Sequence, residues 1–188
     1  GACAPCGLCR AGLSGQHADC GHDDDAADAG GWGLRKTIDV AQAKYLLAQN
    51  DQANLAKIPD ELSDEQVVLL SDIVSTGFSG AESGRVRIGD SVVVFAQGPI
   101  GLCATAGARL MGAAFIIAVE SDPTRMAMAR KMGADVVLDP QQNDVVEEVK
   151  RLTIGGADVS IEPLGIQETL GKALRLLRQG GALRSLAV

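Results

Sequence analysis

Aromatic residues are scarce in this chain of 188 residues: one Trp, one Tyr and three Phe make up 3% of it. A core with so few rings must be filled by Ala, Val, Leu and Ile, which suits buried strands and close helix packing through small residues. Positive charge is also short, with 17 Lys plus Arg against 24 Asp plus Glu and a net charge of −7. That balance excludes a nucleic-acid binder, whose affinity rests on neutralising phosphates. No run reaches the roughly 18 uninterrupted apolar residues of a membrane span, because Arg109 breaks the longest candidate, Gly98 to Val119. No membrane association is expected. What is present is globular composition, 46% apolar and 22% charged, which sets aside disordered, collagen-like and coiled-coil classes. The length allows one domain and part of another.

Five cysteines, three of them within seven residues, fit a reducing compartment and metal thiolates better than a disulfide framework. A cytoplasmic location follows as the expectation. Cys3, Cys6 and Cys9 form Cys-x2-Cys-x2-Cys, and Cys20 follows after ten intervening residues. Thiolates so spaced converge on one tetrahedral zinc, which would staple a lobe too small to be held by its own apolar surface. His17 lies within reach of the same cluster, so the fourth ligand is Cys20 or His17. A site with four protein ligands has no open coordination position and is structural. The first residue is Gly1 rather than Met and the cluster starts at once, so the chain is expected to begin mid-protein.

Composition shifts near Trp32 and again near Asp90, and the domains expected are residues 1–33, the zinc lobe, residues 34–62, and residues 63–188, the dinucleotide-binding unit. In the second region Ile38, Val40, Tyr45, Leu46 and Leu47 suggest one or two strands, closed by Pro59. Ser63 with Gln66 three residues on forms a capping-box pattern, predicting a helix through Leu70 and a second helical stretch carrying Asp72 to Ala81. From Asp90 short β-branched runs alternate with helical segments, the signature of βαβ units on a parallel sheet. The predicted strands are Ser91 to Ala96, Phe115 to Glu120, Asp135 to Leu138, Asp158 to Leu164 and Ala182 to Val188. Helices are predicted after Gly101, from a cap at Ser121 or Asp122 to Gly133, from Asp144 to Leu152, and from Ile166 to Arg178. Gly180 and Gly181 should turn the chain into the last strand.

The turn Ala96, Gln97, Gly98, Pro99, Ile100, Gly101 follows a strand and opens a helix, the place of a dinucleotide-binding glycine motif. Gly98 and Gly101 are its second and third glycines, and Ala96 stands in the first position. Gly98 lets the backbone approach a pyrophosphate at the helix N-terminus, and Gly101 lets helix and strand pack closely. Glu120 ends the next strand about twenty residues on, where a carboxylate accepts from both adenosine ribose hydroxyls. A 2′-phosphate would be repelled there, and Asp122 adds negative charge, so the cofactor expected is NAD rather than NADP. Arg125 meets adenine or ribose, or is a solvated arginine on a helix face.

With a cysteine lobe directly upstream of a nucleotide-binding unit, the chain resembles the zinc-dependent medium-chain alcohol dehydrogenases over essentially its whole length. Gly30, Gly31 and Trp32 through Thr37, Ile38 and Asp39, with Gln42, Ala43 and Tyr45, look like the passage from the structural-zinc lobe to the last strands of the catalytic domain. Leu70 to Phe78 resembles the segment whose acid, in the secondary-alcohol branch, is a catalytic-zinc ligand. The resemblance implies Asp72 as that ligand, Thr76 close to the nicotinamide, Leu164 and Gly165 in a loop lining the nicotinamide side, and NAD on Gly98, Pro99, Ile100, Gly101, Glu120 and Arg125. It implies a Rossmann-type doubly wound parallel sheet, preceded by a zinc-stapled loop lobe and the remnant of a GroES-like β domain. It also implies a homodimer or homotetramer, built on the edge strand near Ala182 to Val188.

Departures from the family pattern are specific. The usual spacing of the third and fourth structural cysteines lands on His17 rather than Cys20, and Val40, Lys44, Pro163 and Gln179 replace the expected residue types. By the resemblance, the Cys and His expected to hold a catalytic zinc together with Asp72 would lie upstream of Gly1. The function implied is oxidation of a secondary alcohol by hydride transfer to NAD, assisted by catalytic zinc. The alternative is a catalytically incomplete, zinc-stapled NAD-binding module, and a third reading is a zinc-independent reductase of the same fold.

Overall fold

The structure, a computed structural model, describes residues 55–186 and residue 45. The expected zinc ligands Cys3, Cys6, Cys9, Cys20 and His17, and the strand positions Ile38, Val40, Leu46 and Leu47, lie outside the described residues. The chain divides into two units, Gly1–Leu62 and Ser63–Val188. In the first, the stretch from Leu55 to Leu62 is exposed and closes on a turn in which Leu62 N donates to Pro59 O at 3.1 Å. Among the described residues no helix is long and apolar enough to cross a membrane.

The second unit opens with Ser63 N donating to Gln66 Oε1 at 2.9 Å, which starts helix α1, Asp64–Val67. The expected helix through Leu70 is α-helical only to Val67, although the backbone stays in the right-handed helical region at Val68 and Leu69. Leu70–Val74 then forms a π-helical turn, and α2 follows as Ser75–Ser83. The remaining order is β1 Ser91–Phe95, α3 Pro99–Leu110, β2 Phe115–Val119, α4 Pro123–Lys131, β3 Val136–Leu138, α5 Val145–Leu152, β4 Ala157–Glu162, α6 Gln167–Arg175 and β5 Leu177–Ser185. The strands run in the order β3-β2-β1-β4-β5 with every pair parallel.

Strands covered on both faces read as unbroken apolar runs, and Val92 to Phe95 and Ile116 to Val119 are buried throughout. Val92, Val94, Ile116, Ala118 and Ile161 meet Ala81, Ala104, Ala108 and Ala129 of α2, α3 and α4 on one face. Val93, Phe95, Ile117 and Val119 meet Val145, Val149, Ala173 and Leu176 on the other, where α5 and α6 pack. Alanine at the helix contacts explains how the sheet is covered with so few rings. Helices α2 and α3 pack closest of all: a Cβ on Gly77 would lie 2.5 Å from Cys103 Cβ and 2.7 Å from Ile100 O.

Several predicted boundaries are corrected. Strand β4 ends at Glu162 rather than Leu164, because the Glu162 carboxylate draws the amides of Leu164 and Gly165 out of the ladder. Helix α6 stops at Arg175 and β5 starts at Leu177, before the glycine pair. Ala157 pairs with Leu177 but Val159 pairs with Ala182. Gly180, at φ +80°, and Gly181 thus sit in an irregularity inside the strand, not in a turn ahead of it. Strand β3 starts at Val136, because the Asp135 carboxylate accepts from Ile116 N at 2.7 Å and from Arg109. Of the two candidate caps for α4, Asp122 serves, its Oδ1 accepting from Arg125 N at 2.9 Å.

At the opposite end of the sheet Asp158 accepts from Ser91 N and Ser91 Oγ, both at 2.7 Å, and from Arg178 Nε. Burial raises its pKa, but the Ser91 and Arg178 contacts together outweigh that and hold the carboxyl below the ordinary aspartate value. A depressed folded-state pKa adds stability above the unfolded value, near 4, and that contribution is lost as pH falls through the lower folded value. Asp158→Asn should therefore cost about 1–2 kcal/mol in urea unfolding at pH 7, with a smaller difference at pH 3. An equal cost at both pH values would contradict this.

Candidate functional site

Helices α3 and α4, following β1 and β2, cover one face of the sheet, and α5 and α6, following β3 and β4, cover the other. The winding reverses between β1 and β4, and a crevice outside the carboxyl ends of the strands at such a point is where open α/β sheets bind ligands. The glycine turn stands there. A Cβ on Gly101 would lie 1.8 Å from Ala96 O, so the first turn of α3 is pressed onto the end of β1. Ala96 has φ +50°, a left-handed conformation costing about 1–2 kcal/mol for a residue with a side chain. This is the position where the motif ordinarily has glycine.

Ala96 is held in that conformation by its neighbour. Gln97 is fully buried; its amide donates to Glu120 Oε2 at 2.8 Å, its Nε2 to Val94 O at 3.0 Å, and its Oε1 accepts from Thr105 Oγ1 at 2.9 Å. Sequence reasoning missed Gln97 and Thr105, although a polar residue inside the turn and a threonine on the buried face of the next helix were visible. Gly98 differs from both. Its φ of −69° and ψ of −176° suit any residue, and an added Cβ would meet nothing within 4 Å. No side chain caps α3, whereas Asp122 caps α4 and Asp144 caps α5. The space beside Gly98 is thus open, and no side chain answers the first amides of α3, which have no intrahelical partners.

Glu120 follows β2 and is 7% exposed. Oε2 accepts from Gln97 N, and Oε1 accepts from Ser121 N at 2.8 Å and Asp122 N at 3.0 Å. The carboxylate therefore ties the glycine turn to the end of β2, with about one of its four lone-pair positions free. Arg125, on the exposed first turn of α4, places Nη1 3.9 Å from Glu120 Oε2. Leu164 and Gly165 lie across the crevice after β4, and Leu164 is 48% exposed.

Asp72 is exposed on the π-helical turn and accepts from Thr76 Oγ1 at 3.1 Å; Thr76 is half-buried on α2. A zinc centre needs at least three protein ligands, and among the described residues no group of three His, Cys, Asp or Glu could hold a metal ion. Asp72 alone does not fit a zinc centre. Burial pushes the thiol pKa of Cys103, on α3, up.

A zinc-binding dehydrogenase family matches residues 99–188. An alcohol dehydrogenase of Cupriavidus necator is 58% identical over 159 residues, covering 84% of this chain and 43% of that protein. An NADP-dependent isopropanol dehydrogenase of Clostridium beijerinckii is 35% identical, covering 83% of this chain and 45% of its own length. The chain thus spans less than half of these relatives. Among solved structures, zinc-dependent alcohol dehydrogenase 2 of Streptococcus pneumonia superposes with a TM-score of 0.81 at 32% identity, covering 100% of this chain and 51% of that one. With its parallel sheet and glycine turn alongside these relatives, the chain belongs to the zinc-dependent medium-chain alcohol dehydrogenase family.

Proposed function

We propose that this chain carries the cofactor half of an alcohol dehydrogenase and binds NAD across the β1/β4 crevice. The observation that carries the proposal is Gly98, a glycine for which neither backbone conformation nor internal packing gives a reason. A ligand that must approach the backbone does give one. Pyrophosphate oxygens would sit on the uncapped amides at the start of α3, with Gly98, Pro99, Ile100 and Gly101 forming the floor. Glu120 would accept from the adenosine ribose, and its charge disfavours a 2′-phosphate; Arg125, leaning on Glu120, sits at the same edge. Leu164 and Gly165 would close the opposite side. The bound nicotinamide accepts or gives hydride, and the protein's task is to hold and orient it against the substrate.

The substrate proposed is a small secondary alcohol or the corresponding ketone. Its oxidation in this family uses a catalytic zinc, for which the described residues supply one carboxylate, Asp72, with Thr76 bonded to it. The structural zinc on Cys3, Cys6, Cys9 and Cys20 or His17 is proposed from the cysteine spacing. A homodimer or homotetramer is proposed through β5, which among the described residues pairs only with β4.

Gly98→Ala separates binding from folding. Its thermal midpoint should match the parent within about 1 °C, while NAD affinity falls at least about tenfold, about 1.4 kcal/mol, in calorimetric titration. Unchanged affinity would overturn the placement of the pyrophosphate.

A further inference from the structure

Glu162 is a fully buried carboxylate at the switch point to which the proposed function gives no role. It is the last residue of β4, next to β1, on whose other side Glu120 follows β2. Oε1 accepts from Leu164 N at 2.9 Å and Thr169 Oγ1 at 2.7 Å, and Oε2 accepts from Gly165 N at 2.9 Å. No Lys or Arg pairs with it among the described residues. A buried charge answered only by two amides and a hydroxyl is a costly way to end a strand. Those three donors belong to one strap: Leu164, Gly165 with φ +70°, and the first turn of α6.

We infer that Glu162 is a positioning residue for the cofactor: it fixes the strap from Leu164 to Thr169 so that exposed Leu164 and Ile166 stand against the cofactor bound on the glycine turn. The inference rests on the proposed cofactor site. Glu162 itself does not touch the cofactor, since its side chain is sealed beneath the strap. Leu164 and Ile166, the apolar residues of the strap, are 48% and 51% exposed. They border the crevice at the end of the strand beside the glycine turn, and the conformation that displays them there is set by the Glu162 oxygens. The sheet alone does not set it, because pairing of β4 with β1 ends at Ile161.

Glu162→Gln keeps the shape and puts an NH2 group where one accepting oxygen stood. Either orientation of the amide leaves Gly165 N, or Leu164 N and Thr169 Oγ1, facing a donor, so the strap must move. Thr169→Val removes one donor and leaves both amide bonds. Ile161→Val is the control, a core truncation one residue away on the opposite face of β4.

The test is titration of NADH into the purified full chain, followed by the fluorescence anisotropy of NADH, with thermal midpoints measured alongside. The expected result is that the parent binds NADH, Glu162→Gln raises the dissociation constant at least about tenfold, Thr169→Val raises it about threefold, and Ile161→Val lowers the midpoint without moving it. A folded Glu162→Gln variant that binds within twofold of the parent overturns the inference and leaves the cofactor site standing. Should Glu162→Gln not fold, Thr169→Val decides: an unchanged dissociation constant overturns the inference. A parent chain that does not bind NADH overturns the cofactor reading and this inference together.

Discussion

Replacing Gly101 with alanine is expected to abolish detectable NAD binding and to lower stability by at least about 3 kcal/mol. The added Cβ would fall 1.8 Å from the carbonyl oxygen of Ala96, an approach no real Cβ makes, and the opposing atom is backbone rather than a yielding side-chain end. Ala96 is already in a left-handed conformation and is tied through Gln97 to Glu120, Val94 and Thr105. The turn therefore has little freedom to retreat without breaking buried hydrogen bonds. Ordinary overpacking costs about 1–3 kcal/mol, and here the clash adds to the loss of those bonds. Urea unfolding and calorimetry read the two effects. A variant with parental stability would mean that the helix is not pressed onto the strand end.

The second large effect is expected at Gly77. A methyl there would lie 2.5 Å from Cys103 Cβ, 2.7 Å from Ile100 O and 2.8 Å from Ala104 N. Two of these atoms are α3 backbone, so α2 must move as a body. A destabilisation of about 2–3 kcal/mol follows from overpacking, despite the better helix propensity of alanine, worth about 1 kcal/mol. Displacing α2 also displaces Thr76 and its bond to Asp72. Urea unfolding at fixed pH checks the destabilisation; a midpoint at or above the parent value would contradict the close packing of α2 on α3.

The parallel sheet was legible in the sequence because the β-branched runs from Ser91 and Phe115 are short, apolar throughout and spaced by helix-length segments. Gly98, Gly101 and Glu120 were legible for the same reason: strand, turn, helix and second strand occur in order. The roles of Gln97, Thr105 and Glu162 were not. Each is a polar residue whose partners are supplied by distant segments, and sequence spacing carries no record of such pairs. The π-helical turn at Leu70–Val74 is likewise invisible to a pattern that distinguishes only helix from loop. Gly180 and Gly181 misled for a physical reason: a glycine pair suits an irregularity inside an edge strand as well as a turn before it. The strap after β4 has the sequence pattern of strand, because Pro163 and Leu164 continue an apolar run, while a buried carboxylate bonding two successive amides turns the chain aside.

The most direct test is calorimetric titration of the purified chain with NAD and, separately, with NADP. The account predicts saturable binding of NAD, one per chain, with a dissociation constant at least about tenfold below that for NADP, because the Glu120 carboxylate opposes a 2′-phosphate. Binding of neither nucleotide, or tighter binding of NADP, would contradict it.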